Sequence, residues 1–336
     1  MKMIGFKKGS SVDDENGLCD RTAAMPVPGP RDVLVQVRAV GINPLDTKVR
    51  AGLVAVPEAV TTLGWDAAGI VHSVGCAVTL FAPGQAVYYA GSFDRAGANA
   101  GYHLVDERIA GRMPTTLDFA QAASVPLAAL TAWQLLFERF AITPGDRQPR
   151  GSLLVLGGAG GVGSMLIQLA RQLTGFTVIA TASRGDSADW CRAMGAHHVI
   201  DHRQPLPAQV AALDVAPVHH IAALSHTAQH FMELVELIAP HGKLAVIDDH
   251  IVFDAAPLKG KSVSLHWEMV FTRPLFATED MIEQHRILNR VARLLDEGLL
   301  CHTLRQHLSP LDAATVRRAH ALIERGGQPG KIVVTD

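Results

Sequence analysis

At 336 residues the chain exceeds the ~250–300 at which one hydrophobic core usually stops growing, so two domains are expected. Hydrophobic residues make up 48% and charged ones 18%, net charge is −2, and no basic stripe appears, which disfavours nucleic-acid and anionic-membrane partners. Cys19, Cys76, Cys191 and Cys301 are dispersed and form no CxxC, which argues against a zinc ribbon or a disulfide framework and fits a reducing cytoplasm.

The opening MKMIGFKKGSSVDDENG breaks into charge before any apolar signal region forms. No apolar run reaches 18 residues, so no membrane span is expected. A cytoplasmic protein follows as the expectation. The first ~125 residues read as β-rich. Asp32–Ile42, DVLVQVRAVGI, alternates Val33, Val35, Val37 and Ala39 with Gln36 and Arg38. Pro and Gly punctuate this region at 26–30, 44, 57 and 83–84, as in an antiparallel barrel-like domain. Within it, GWDAAGIV (64–71) sets an indole and a carboxylate among small residues.

From Pro126 the rhythm changes to alternating units. A helical pattern covers Leu127–Phe140. LLVL (153–156), TVIATA (177–182), HVID (198–201), HIAAL (220–224), KLAVID (243–248) and SVSLHW (262–267) read as strands. Helical patterns run through Arg171, around Asp189–Met194 and over 227–239. Such repetition predicts an α/β fold with a parallel sheet covered on both faces. Two further helices (282–297, 311–324) and a strand, KIVV (331–334), lead the chain back to the first domain.

Between LLVL and its helix lies GGAGGVGS. Gly158, Gly160 and Gly163 fit G-x-G-x-x-G, with Ala159, Gly161 and Val162 between them. Behind a strand and ahead of an amphipathic helix this is the dinucleotide-binding context: backbone N–H groups approach the pyrophosphate and the helix N-terminus stabilises its charge. An acid would bind the ribose 2′-hydroxyl of NAD about 20 residues on. Ser183 and Arg184 stand there instead, with no acid before Asp186, which predicts NADPH. HTAQH places His226 and His230 one helical turn apart, a chelating spacing, although a solvated helix face explains it more simply. No G-x-S-x-G elbow supports a serine hydrolase.

GINPLDTKVRAG (41–52), GWDAAGIVHSVG (64–75), VPLAALTAWQLLF (125–137), LLVLGGAGGVGS (153–164), TASR (181–184), GAHHVIDH (195–202) and PGKIVV (329–334) together resemble the medium-chain dehydrogenase/reductase superfamily. The resemblance is to its zinc-free quinone oxidoreductase branch, and most of all to a bacterial zinc-type alcohol dehydrogenase-like group. It implies a Rossmann doubly wound sheet (126–271) inserted in a split GroES-like catalytic domain (1–125 and 272–336). It also implies an active site in the cleft between them and a homodimer joined through an edge strand, here within 262–271. His202 matches a position near the adenosine phosphate, and Thr131 one near the nicotinamide. Zinc relatives place Cys and His ligands where this chain has Asn43 and Trp65, so no metal is expected. Lys48 and Val54 replace tyrosines frequent in the quinone branch, which leaves the acceptor open.

Without a Lewis acid, hydride transfer to a quinone or α,β-unsaturated carbonyl is favoured over a simple ketone, because charge delocalises into a phenolate or enolate. Asn43 is the expected hydrogen-bond donor, to substrate or to the nicotinamide ribose. Tyr88 and Tyr89 follow as catalytic candidates, if they are not barrel-core aromatics. Trp65, Phe93, Trp267 and Phe271 are expected to wall an apolar pocket. Two alternatives stand beside this NADPH-dependent reductase: a zinc alcohol dehydrogenase with unorthodox ligands, and a non-catalytic NADPH-binding protein.

Overall fold

The computed structural model describes residues 1–249 and 252–336. The chain packs into two compact units, Met1–Leu130 with Phe271–Asp336, and Thr131–Val270. Phe271 thus belongs with the first unit, and the first crossing falls inside a helix.

The first unit begins with β1 (Lys2–Phe6) and β2 (Leu18–Thr22), an antiparallel pair. β3 (Asp32–Ile42) follows with its predicted bounds, then α1 (Pro44–Arg50), β4 (Ala67–Val74), β5 (Ala86–Tyr89), β6 (Tyr102–Asp106) and β7 (Ala110–Arg112). β3 is the hub. It pairs antiparallel with β4 along one edge and with β6 along the first half of the other. Two register shifts bend the β3–β4 ladder, as bulges do. Gly69 sits in that ladder because a Cβ there would lie 2.2 Å from the Gln36 carbonyl oxygen. Val33, Val35, Val37, Ala67, Val71 and Val87 form the core beneath it. Short α2 (Phe119–Ala123) and α3 (Pro126–Trp133) end this stretch.

Among the described residues the second unit holds a six-stranded, all-parallel sheet. Its strands are β8 (Ser152–Leu156), β9 (Thr177–Thr181), β10 (His198–Ile200), β11 (Val218–Ala223), β12 (Ile238–Val246) and β13 (Ser264–Trp267), in spatial order 10-9-8-11-12-13. The connecting helices are α4 (Gly161–Leu173), α5 (Gly185–Ala193), α6 (Leu206–Ala211) and α7 (Thr227–Leu237). Strand order reverses at β8, which puts the crevice for a ligand at the C-terminal ends of β8 and β11. α7 stops before the predicted 239: its C-cap Ile238 is already extended and opens β12. One face packs Leu154, Ile179, Ile221 and Leu244 against Phe231 and Leu234 of α7.

After the short α8 (Thr272–Leu275), α9 (Glu283–Asp296), β14 (Leu304–Leu308) and α10 (Ala313–Arg325) lead to β15 (Lys331–Thr335). β15 pairs antiparallel with the second half of β3, so the C-terminus completes the sheet begun near the N-terminus. The sequence patterns for both long helices and this strand agree with the structure; β1, β2 and β14 carry no alternating pattern and were not predicted.

Candidate active site

The end of β3, the start of α1, the start of β4 and the first residue of β15 converge on a buried polar cluster. Lys331 Nζ donates to Asp66 Oδ2 at 2.8 Å and to Asn43 Oδ1 at 2.5 Å. Asn43 Nδ2 lies 3.3 Å from Asp66 Oδ2 and 3.5 Å from the Gly41 carbonyl oxygen. The Leu127 N–H, at the start of α3, donates to Asp66 Oδ1. Asp46 is fully buried and accepts from the Asn43 N–H (2.7 Å) and the Gly64 N–H (2.9 Å). Asp46 thereby caps α1 and fixes the turn before Trp65. Burial pushes the Asp46 carboxyl up to about 6; burial also raises Asp66, against the opposing pull of the Lys331 ammonium. Two carboxylates thus face one ammonium. Neither Lys331 nor Asp46 was expected here. The available signals were faint: a lysine opening an apolar strand, and an acid three residues after an Asn N-cap.

The aromatic candidates divide. Trp65, 1% exposed, donates its indole N–H to the Arg95 carbonyl and meets Phe93 edge-on, and Phe93 meets Phe271 at 5.3 Å. Arg95 in turn forks onto Asp32. Of these three rings only Phe93 keeps appreciable exposed surface, so Trp65 is core support, not an open wall. Trp267 belongs to the second unit. It is 55% exposed on β13, with its ring against Phe253. Tyr88 and Tyr89 are corrected to barrel-core residues. Tyr88 donates to the Leu288 carbonyl, Tyr89 pairs with His103, and both are fully buried, which raises their phenols well above the ordinary range.

In the second unit the glycine turn joins β8 to α4 as predicted. A Cβ on Gly158 would lie 2.8 Å from Ala180 Cβ, and one on Gly163 would lie 2.5 Å from the Gly158 carbonyl oxygen. Those glycines are required by the protein's own packing. Gly160 differs. It has ordinary φ (−71°), and a Cβ there would meet nothing nearer than 3.8 Å. The open volume lies over the N-terminus of α4, where Ala159, Gly160, Gly161 and Val162 present backbone and Gly160 supplies no capping side chain. A pyrophosphate fits that cradle.

Ser183 and Arg184 follow β9 at the same edge. Ser183 is half-buried. The exposed Arg184 donates to Asp186 Oδ1 (3.2 Å) and to Ser187 Oγ (2.8 Å), so the acid absent at 183–184 returns two residues later. His202 follows β10. Its Nδ1 is buried without a partner and its ring meets His230 edge-on at 6.2 Å. His230 is buried and bonded to Glu233 at 2.9 Å, which corrects the solvated-face reading for that residue; His226 is exposed. Among the described residues no three His, Cys, Asp or Glu side chains are arranged to hold a metal ion. Thr131 is buried in α3.

Residues 29–125 match the alcohol dehydrogenase GroES-like domain, and 194–334 match the zinc-binding dehydrogenase family. A Staphylococcus aureus zinc-type alcohol dehydrogenase-like protein is 37% identical over 99% of both chains. The chain belongs to the medium-chain dehydrogenase/reductase superfamily. A Rhizobium etli crystal structure, provisionally assigned to zinc-dependent alcohol dehydrogenases, superposes with TM-score 0.94 at 48% identity over 100% of this chain and 98% of that one. A Pseudomonas aeruginosa quinone oxidoreductase is 38% identical over 52% of this chain and 51% of its own length. Members of this oxidoreductase superfamily bind nicotinamide dinucleotides, and the glycine turn is the part of this one suited to do so.

Two outcomes follow from the geometry. Gly160→Ala should keep wild-type stability within about 0.5 kcal/mol in urea unfolding, since the site is open and φ is permissive, yet weaken dinucleotide binding at least tenfold. Gly163→Ala should cost roughly 1–3 kcal/mol through overpacking against backbone. Equal stability of the two variants would refute the distinction. The second outcome concerns Asp46. Its folded carboxyl titrates higher than an unfolded one, so the stabilisation is present below about pH 4 and is lost as pH rises through about 6. Wild type should lose on the order of 3 kcal/mol relative to Asp46→Asn between those limits and nothing further above pH 7. Parallel stability–pH curves would count against this.

Proposed function

We propose that the protein is an NADPH-dependent reductase that passes hydride to a conjugated acceptor, a quinone or an α,β-unsaturated carbonyl, without a metal ion. The observation that carries the reading is the chemistry of the donor positions. The indole nitrogen of Trp65 is a hydrogen-bond donor with no lone pair to give a cation, and it is committed to the Arg95 carbonyl. Asn43 offers an amide instead of a thiolate, and its oxygen accepts from Lys331. Both Asp66 oxygens are occupied. These residues do not fit a zinc site.

NADPH bound at the glycine turn would supply the hydride. The chain's own part is to polarise the acceptor oxygen. Asn43 Nδ2 makes only long contacts with Asp66 and Gly41, so its hydrogens are the ones free to turn to a better acceptor. Lys331 holds the amide by its oxygen and thereby orients that donor. One or two such bonds suffice for an enolate or phenolate, whose charge is already spread.

A second reading, NADH, is favoured by one observation, the neutralisation of Arg184 by Asp186. Kinetics on tag-free protein decide between them. kcat/KM should be higher for NADPH than for NADH against enones and quinones, Asn43→Ala should lower kcat about 10- to 100-fold, and activity should survive chelation with far less than one zinc per chain. Zinc at one per chain, lost and restored together with activity, would overturn the metal-free reading and install the alcohol dehydrogenase alternative. No turnover with any acceptor would favour a non-catalytic dinucleotide binder.

We infer a homodimer through β13. The strand is the sheet's last, carries exposed Trp267 (55%) and is followed closely by exposed Met269 (37%), and such an edge invites pairing. Sedimentation velocity at micromolar protein should give a dimer, and a monomer would exclude it.

A further inference from the structure

Paired residues of neighbouring parallel strands share a face of their sheet, and alternate residues return to it. Leu153, His220 and Lys243 are paired across β8, β11 and β12, and Lys243 pairs with Ser264 of β13, two residues before His266. One face of the second unit's sheet therefore carries two imidazoles and an ammonium. The other face is apolar, with Leu154, Ile221 and Leu244 in the core, as a parallel sheet covered on both sides requires. The helix that begins as α3 passes into a π-helical turn (Gln134–Arg139) and ends on the polar face. Turns of this kind are rare and frequent at functional sites. Lys243 Nζ donates to the Phe140 carbonyl just beyond the turn (2.7 Å), and Arg139 donates to Glu268 (2.6 Å).

His220 is the centre of this group. Its ring stands against Phe140 and Phe176, with centroids 5.0 and 4.8 Å away. Burial, and then Lys243, His219, Arg150 and His266, push its imidazole down to about 3. Four basic side chains thus act on a fifth. Three nitrogens in the group, His220 Nδ1, His266 Nε2 and Arg150 Nε, are sealed from solvent and have no hydrogen-bond partner. A buried polar atom left unpaired is costly, and crowding bases together adds to the cost. The acids bonded here do not relieve it. Asp146 takes a different nitrogen of Arg150, and Glu268 takes Arg139. Lys243 gives one of its three ammonium hydrogens to the Phe140 carbonyl. An acceptor with several oxygens and a negative charge would pair these donors together.

We propose that Arg150, His220 and Lys243 form a binding site for a phosphate group, carried by inorganic phosphate or by a small phosphate monoester, beside the π-helical turn. Arg150 immediately precedes β8, and His220 lies in the first half of β11. The glycine turn follows the other end of β8, so the two phosphate sites stand at opposite ends of the sheet. A phosphate suits the donors better than a lone carboxylate. It offers three strong acceptor oxygens, and a guanidinium and an ammonium are its usual partners. Binding changes no covalent bond.

Calorimetric titration of the intact protein with inorganic phosphate, to about 10 mM at constant ionic strength, reads weak sites of this kind. One phosphate should bind per chain and should not be displaced by NADPH. His220→Phe keeps an aromatic ring against Phe140 and Phe176 and should weaken phosphate roughly tenfold or more, the scale of one bond to a charged group. Arg150→Gln, at a side chain about a third exposed, should do the same. Melting temperatures in phosphate-free buffer show whether each variant is folded, and a folded one decides alone. Glycerol 2-phosphate bound where inorganic phosphate is not would assign the site to monoesters. Complete displacement by NADPH, wild-type phosphate affinity in a folded variant, or binding of neither probe overturns the site.

Discussion

A carboxylate and an ammonium buried 2.8 Å apart, both nearly sealed from water, are costly unless every remaining valence is met. In the Asp66–Lys331 pair Asn43 Oδ1 takes a second ammonium hydrogen and the Leu127 N–H bonds the other carboxylate oxygen. The participants come from four separate segments: the junction of β3 and α1, the start of β4, the start of α3 and the start of β15. Removing Lys331 would take away the ammonium that Asp66 bonds and that draws the Asp46 carboxyl down. The pair is therefore a condition on how the C-terminal strand returns. β15 must enter the sheet in the register that delivers its first residue to Asp66, and that register sets the pairing of Ile332 through Thr335 with β3. Gly41 is part of the same constraint, since a Cβ there would lie 2.4 Å from the Ala123 carbonyl oxygen and 3.2 Å from Asp66 Cβ.

The stretch GWDAAGIV is then intelligible as a junction of two different environments. Asp66 turns into the ion-pair cluster. Trp65 turns toward Phe93 and spends its N–H on Arg95, whose guanidinium grips Asp32 at the start of β3. Adjacent residues at the entrance to a strand point to opposite sides, so one dipeptide tethers both the cluster and the 91–95 loop. Gly64 must precede it, with φ 97°, because the chain turns there to offer its N–H to Asp46.

The parts of this architecture that could be read from the sequence are the ones whose cause is local. β3 declares itself through alternation. The glycine turn does so through a strand, three spaced glycines and an amphipathic helix, all within about two dozen residues of chain. Asp66 and Lys331 are 265 residues apart, and nothing near either one signals the other. Tyr88 and Tyr89 look alike in the sequence whether their hydroxyls face a substrate or the Leu288 carbonyl and His103, because the deciding partners come from distant elements. Residue type alone cannot tell Trp267, exposed on an edge strand, from the buried Trp65. Helical spacing alone cannot report that α6 and Glu233 cover the face of α7 that carries His230.

Arg184 shows why a motif fixes a preference less firmly than it fixes a fold. Discrimination between NADPH and NADH is a difference between two binding free energies. A guanidinium exposed to water would gain the whole of a new phosphate contact. One already bonded to Asp186 must exchange one anion for another, and its gain is only the excess of the phosphate contact over the carboxylate one. Both Arg184 (43% exposed) and Asp186 (55% exposed) lie in solvent, where such a pair contributes little to stability. The exchange is therefore open, but the net preference from this residue is small. The backbone of the glycine turn, by contrast, is indifferent to the 2′-position and would serve either cofactor equally.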